Sequence, residues 1–192
     1  MLGPLLTLSA YLLGSISFGL VLAGKEGVDL RSIGSGNIGA TNVGRALGQS
    51  RGRQVMLLDM LKGFVPVALS RWPLALPWPW VTAVGLAAVL GHVLPIWHGF
   101  RGGKGAATAG GVLLAALPPI GGAALITFAV VKKLSKRASL ASLSSATLAL
   151  ALTLAFDGRQ WPVRLTLGLW FVVVVRHAGN ILRLARGQEP PG

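Results

Sequence analysis

Long apolar runs separated by short polar stretches fill the chain from Gly3 onward. Measured against the roughly 20 apolar residues that carry a helix across a hydrocarbon core, they predict seven transmembrane helices. These are Gly3 to Ala23, Gln54 to Arg71, Pro77 to Trp97, Ala106 to Leu117, Pro119 to Val131, Ser139 to Phe156 and Pro162 to Val175. The fourth and fifth are short, and "ALPPIGG" at 116–122 divides what would otherwise be a single run of 26 residues. Pro118 and Pro119 remove two backbone donors and disfavour continued helix, so a tight turn is expected there in preference to one kinked helix. The first segment has no positive charge ahead of its apolar run and Lys25 at once after it. That is the reverse of a cleavable secretory signal, and the segment is expected to be retained. The fold class is therefore all-α: a polytopic integral membrane protein with short loops and a single domain over residues 1–192.

Composition supports the same class. Of the 192 residues, 53% are hydrophobic and only 12% charged, with a mean hydropathy of +0.67, whereas soluble domains carry about 25% charged residues. The net charge of +13 would suggest nucleic acid as partner in a soluble protein, but its placement argues otherwise. With the N-terminus outside and seven spans, the inside segments 25–53, 98–105, 132–138 and 176–192 hold fourteen Lys or Arg, and the outside holds only Arg71, Arg159 and Arg164. This is the asymmetry of the positive-inside rule, so no nucleic acid is needed to explain the charge. Cysteine is absent, which excludes disulfides, thiolate metal sites and a cysteine nucleophile.

The candidate chemistry lies in four polar stretches, all on the expected inner side. The first, "GSGNIGATNVGR" at 34–45, opens with G-x-G-x-x-G, but it lacks the strand and βαβ unit that a dinucleotide site requires. What it offers an anion is backbone at Gly34, Gly36 and Gly39, polar side chains at Ser35, Asn37, Thr41 and Asn42, and the planar fork of Arg45. The second, "GHVLPIWHGFRGGKG" at 91–105, is no P-loop, because Gly105 follows Lys104 and His98 stands where the first glycine belongs. Gly102, Gly103 and Lys104 nevertheless sit just ahead of a helix N-terminus, which favours negative charge. The third, "SLAS" at 139–142, brings Ser142, and the fourth, "RHAGNILRLARGQE" at 176–189, puts His177 and Asn180 three apart on one helical face with Arg183 a turn beyond. "GQSRG" at 48–52 fits G-x-S-x-G on paper without the strand-to-helix elbow that motif needs. Asp59 and Lys62, three apart within the second span, read as a mutually neutralising pair in preference to a catalytic one. His92 reads either as a packed core histidine, which is favoured, or as a support for the glycine loop, and His98 with the tryptophans near span ends as interface anchors.

Taken in order, "GSGNIGATNVGR", "LDMLKGF", "GLAAVLGHVLPIWHGFRGGKG", "SLAS" and "RHAGNILRLARGQE" resemble the bacterial membrane acyl-phosphate:glycerol-3-phosphate acyltransferases, the PlsY family, over nearly the whole chain. One departure is Arg101, where lysine is more usual before "GGKG". The resemblance implies a multi-pass enzyme of the bacterial cytoplasmic (inner) membrane, N-terminus outside and C-terminus cytoplasmic. Its reaction would move a fatty acyl group from acyl phosphate to the sn-1 hydroxyl of glycerol 3-phosphate, giving lysophosphatidic acid, the first committed intermediate of phospholipid synthesis. It further implies membrane lipids as surroundings and a functional link to the soluble enzyme that makes acyl phosphate. None of the three histidines has Asp five positions later, so the H-x-x-x-x-D motif of acyl-CoA enzymes is absent.

The residues read on their own suit that chemistry. Acyl phosphate is already an activated mixed anhydride, and five acidic residues provide no convincing Ser-His-Asp set, so neither a covalent nucleophile nor a metal or other cofactor is expected. The expected catalytic group is Ser35, Arg45, Lys104, His177 and Asn180, holding both phosphates and stabilising the one that leaves. Either His177 or a substrate phosphate takes the hydroxyl proton; the phosphate is favoured. A phosphate transporter would use the same residue types, but near the midplane and in two copies. No second "GSGN" or "GGKG" occurs. A scaffold binding anionic lipids would leave the glycine-rich stretches unexplained.

Overall fold

The computed structural model describes residues 1–191, which contain helices and no strands. Ten α-helices follow one another: α1 Leu2–Gly14, α2 Phe18–Lys25, α3 Ala40–Leu47, α4 Gln49–Arg71, α5 Trp78–Val93, α6 Ala106–Ala116, α7 Pro118–Ser135, α8 Ala138–Leu152, α9 Gln160–Arg176 and α10 Ala178–Ala185. Each of the seven apolar runs is helical. Leu2–Lys25, Trp78–His98 and Ala138–Asp157 are long and apolar enough to cross a membrane, and α9 with α10 qualifies only as a pair bent by 63°. α6 is apolar but has 11 residues, too few to cross alone.

The expected boundaries need four changes. The first run is interrupted between Gly14 and Phe18, which frees the carbonyl of Ile16 to accept from Lys62 Nζ at 2.7 Å. The second starts five residues early, at Gln49. The third ends at Val93 and continues as a 3₁₀ turn at Ile96–His98, and the sixth gives way to a π-turn at Thr153–Asp157. α3 forms inside a stretch whose glycines argue against helix. It is strongly amphipathic, and its Val43 is fully buried in a small core with Ala23, Leu30 and Val55, so packing outweighs propensity.

At "ALPPIGG" the tight turn is found. Leu117 leaves helical geometry (φ −135°, ψ 70°), Pro118 and Pro119 open α7 where their missing donors cost nothing, and Gly121 packs against the backbone of Leu114. Seven residues along a continuous helix would separate those positions by about 10 Å.

Apolar surface gains little by leaving lipid, so these helices are held chiefly by close packing. Two pairs approach backbone to backbone through reciprocal glycines. Gly14 rests on the Ala88 carbonyl while Gly91 rests on that of Tyr11, joining α1 to α5; Gly63 rests on Thr108 while Gly111 rests on Met60, joining α4 to α6. Val67, Val84, Val112 and Leu165, all fully buried, fill the centre between α4, α5, α6 and α9. The polar stretches are carried at the ends of this packed group.

Candidate active site

The loop before α3 is shaped by one side chain. Asn42, 1% exposed, donates its amide to the carbonyls of Leu30 (3.0 Å) and Ile33 (2.9 Å) and accepts the Ser35 N–H at 3.1 Å. Asn37 Oδ1 likewise accepts the Gly39 N–H at 2.9 Å. These bonds hold a turn that brings Ser35, Asn37, Gly39, Thr41, Asn42 and Arg45 to the wall of one cavity. Arg45 reaches from there to the Pro191 carbonyl at 2.6 Å.

The second loop supplies Lys104. The amides of Gly102 and Gly103, expected to bind phosphate, donate here to the carbonyls of Val93 (3.2 Å) and His92 (3.1 Å) at the end of α5, and neither residue lines the cavity. They act through their size. A side chain at Gly102 would strike the His92 carbonyl, and one at Gly103 the His92 imidazole. Their own carbonyls accept from Arg176, at 3.0 Å from Nη2 to Gly102 and 3.2 Å from Nε to Gly103. Gly34 and Gly36 also stand behind the lining, and the Gly36 amide is taken by the Ile33 carbonyl at 3.0 Å. Gly105, with φ +78°, then turns the chain into α6.

From the far end of the chain, the sharp bend between α9 and α10 places His177 and Asn180 on the same cavity. Lys104 Nζ donates to Asn180 Oδ1 at 2.6 Å. His177 is buried, and its Nδ1 lies 2.8 Å from the Val173 carbonyl. A carbonyl only accepts, so Nδ1 carries the proton and Nε2 is left as an acceptor. Burial, reinforced by the nearby Lys104 and Arg176 charges, pulls His177 down to about 4, so the ring is neutral near pH 7. Burial also pulls Lys104 down to about 8, with Arg183, Arg45 and Arg176 acting in the same direction and Glu189 against it. Lys104 thus stays mostly cationic near pH 7.

Glu189 was not foreseen as part of this cluster. The tail after α10 turns inward, and the Glu189 carboxylate accepts from Ser139 Oγ (2.6 Å), Asn180 Nδ2 (2.6 Å) and Arg183 Nε (2.8 Å). Burial favours its neutral form, but these donors outweigh burial and hold its pKa below the usual value. Its only sequence signal is its place as the lone acid at the end of a basic stretch. Ser142 lines the cavity while its hydroxyl donates to the Ala138 carbonyl at 2.9 Å. Arg53, Asp59 and His92 are further unforeseen members of the lining.

The cavity has a volume of about 520 Å³ and two chemical ends. Its polar end gathers Arg45, Arg53, Lys104 and Arg183 with the hydroxyls and amides just described; its other end runs between α4, α6, α7 and α8 past Met60, Leu113, Leu125 and Phe128. Cationic forks, hydroxyls and a neutral imidazole suit a phosphorylated polar molecule, and the adjoining apolar channel suits an alkyl chain.

Residues 4–187 match the family model described as glycerol-3-phosphate acyltransferase. The chain belongs to the glycerol-3-phosphate acyltransferase family. It is 47% identical over 185 residues to the glycerol-3-phosphate acyltransferase of Geobacter sulfurreducens, covering 96% of this chain and 95% of the relative. With the enzyme of the same name from Aquifex aeolicus it shares 44% identity over 188 residues, 96% of each chain. Among solved structures it is similar to PlsY (YgiH), an integral membrane glycerol 3-phosphate acyltransferase, in its glycerol 3-phosphate form. That match has a TM-score of 0.94 and 39% identity, and covers 100% of this chain and 96% of the other. The lysophosphatidic acid form of the same enzyme matches with a TM-score of 0.89 and 38% identity, over 100% and 95%. PlsY-family membership, expected from the ordered motifs, is therefore borne out, as is the all-helical membrane fold.

Proposed function

We propose that the protein transfers a fatty acyl group from acyl phosphate to the sn-1 hydroxyl of glycerol 3-phosphate, releasing lysophosphatidic acid and inorganic phosphate. The observation that carries this reading is the two-ended cavity, in which a cluster of phosphate-binding groups adjoins an apolar channel. Both substrates carry phosphate; only the donor carries a long chain. The chain lies along Met60, Leu113 and Phe128, and the two phosphates share Ser35, Thr41, Arg45, Lys104 and Asn180.

The glycerol hydroxyl oxygen attacks the acyl carbonyl carbon, and the bond from that carbon to the phosphate oxygen breaks. The hydroxyl proton passes to a phosphate oxygen, so the step balances without a covalent enzyme intermediate or a cofactor. Lys104 and Arg45 stabilise the departing phosphate, which gains charge as the bond breaks. His177 Nε2 accepts a hydrogen bond from the acceptor substrate and, with Asn180, aligns its hydroxyl; positioning of this kind supplies about 7–11 kcal/mol in favourable cases. Asn42 shapes the loop that carries Ser35. The enzyme is read as one domain of seven spans in the bacterial inner membrane, with this site at the cytoplasmic surface, where a lipid donor and a water-soluble acceptor meet.

The test is reconstitution into lipid vesicles with acyl phosphate and glycerol 3-phosphate supplied together and singly. Lysophosphatidic acid and phosphate should appear in equal amounts only when both are present. Product formed from acyl-CoA but not from acyl phosphate would overturn the donor assignment.

A further inference from the structure

Asp59, Lys62 and His92 make a second polar cluster beneath the site, with side chains that are almost wholly buried. Lys62 Nζ lies 2.8 Å from Asp59 Oδ1 and donates to the Ile16 carbonyl at 2.7 Å, in the interruption between α1 and α2. On the other side, His92 Nδ1 faces Asp59 Oδ1 at 3.6 Å. Asp59 Oδ1 is engaged by Lys62, whereas His92 Nδ1 has no aligned hydrogen bond among the described residues. A buried polar atom left in that condition costs stability and calls for a reason.

The reason lies in what each end of the cluster touches. His92 is the hinge of the Lys104 loop: its carbonyl accepts the Gly103 N–H at 3.1 Å, and its Nε2 edge fills the space a side chain at 103 would need. At the opposite end, Lys62 holds the interruption before α2, and Gly19 of α2 packs on the Ile38 carbonyl in the loop that carries Ser35. The two loops are thus joined through one buried line: Ser35 loop, α2, Ile16, Lys62, Asp59, His92, Lys104 loop. Asp59 and His92 also form part of the cavity wall.

We propose that Asp59, Lys62 and His92 are positioning residues that hold Lys104 in register with the Ser35 loop. The proposal rests on the reading that Lys104 holds substrate phosphate. On this view the Asp59–Lys62 pair does more than cancel charge within the membrane, since its removal would displace a binding group that neither residue touches.

Four full-length variants in lipid nanodiscs test this, by glycerol 3-phosphate KM and kcat and by thermal midpoint. His92→Phe keeps ring volume against Gly103 and loses Nδ1, whereas His92→Asn loses volume and keeps a donor where Nδ1 stood. Positioning requires His92→Phe to raise the glycerol 3-phosphate KM about tenfold or more, with His92→Asn closer to the parent protein; simple packing requires the opposite order. Asp59→Asn alone would leave the Lys62 ammonium buried without its partner and risk misfolding, so it is not one of the four. The neutral double variant Asp59→Asn/Lys62→Met removes that hazard, and is expected to show the same KM rise with a thermal midpoint near that of the parent. The fourth variant, Lys104→Ala, is the reference, read by direct glycerol 3-phosphate binding because little turnover is expected of it. Parental affinity in Lys104→Ala sinks the substrate assignment and the proposal with it. Weakened binding in Lys104→Ala alongside parental KM values in the His92 and double variants sinks the positioning line alone.

Discussion

Lys104 and Asn180, 76 residues apart in the chain, meet at 2.6 Å between Nζ and Oδ1. The contact joins the loop ahead of α6 to the first turn of α10, so each residue depends on the other's element for its place. It also sets a pH limit. Burial lowers Lys104 to about 8, so its cationic form is present below that value and is lost as pH rises through it. Affinity for glycerol 3-phosphate should therefore fall above about pH 8, and Lys104→Arg, which does not titrate in this range, should move that limb upward. Lys104→Ala should be nearly inactive. A KM profile that stays flat to pH 10 in the parent protein contradicts this role for Lys104.

His177→Gln separates orientation from proton transfer. Because Nδ1 is given to Val173, the side chain acts through a single acceptor, and glutamine retains hydrogen-bonding capacity without being a base near neutrality. The variant should keep measurable turnover and mainly raise the KM for glycerol 3-phosphate. Loss of a general base would instead lower kcat by about 10²- to 10⁴-fold. That outcome, with unchanged acceptor binding, would assign the base to His177.

Arg45→Lys retains charge and loses the fork. The guanidinium already reaches 2.6 Å to the Pro191 carbonyl while lining the cavity, a geometry that one ammonium cannot reproduce toward a phosphate as well. Loss of one charge-assisted hydrogen bond, about 1.5–3 kcal/mol, predicts a fall of roughly 10- to 100-fold in kcat/KM. Steady-state kinetics on the purified variant decide this.

Orientation is open to direct labelling. Ser50 is exposed at the start of α4, within the basic segment expected inside. A cysteine placed there should react with a membrane-impermeant thiol reagent only in inside-out vesicles. Reaction in intact cells from the periplasmic face rules out the seven-span orientation.

The seven helical runs and the meeting of the four polar stretches could be read from residue order alone, since apolar length and the basic asymmetry both depend on local composition. Partner choice could not. The amides of Gly102 and Gly103 stand in a phosphate-loop-like sequence, yet the end of α5 lies close enough to take them. α3 was hidden because glycine and asparagine mask an amphipathic period whose inward residue, Val43, is recognisable only once Leu30 and Val55 are beside it. Glu189 was hidden because an acid near the end of a chain has no local reason to fold inward. Its three donors come from α8 and α10, which no spacing rule connects to it.

The reciprocal glycine contacts have a consequence for how this sequence can drift. At Gly14, Gly91, Gly63 and Gly111 the neighbouring atom is backbone, so a partner side chain cannot shrink to make room for a larger residue. Exchange of one apolar residue for another along the channel, by contrast, leaves rotamers free to adjust. Saturation mutagenesis should therefore tolerate variety at Met60, Leu125 and Phe128 while rejecting even alanine at the four glycines, so the least adaptable positions lie away from the chemistry.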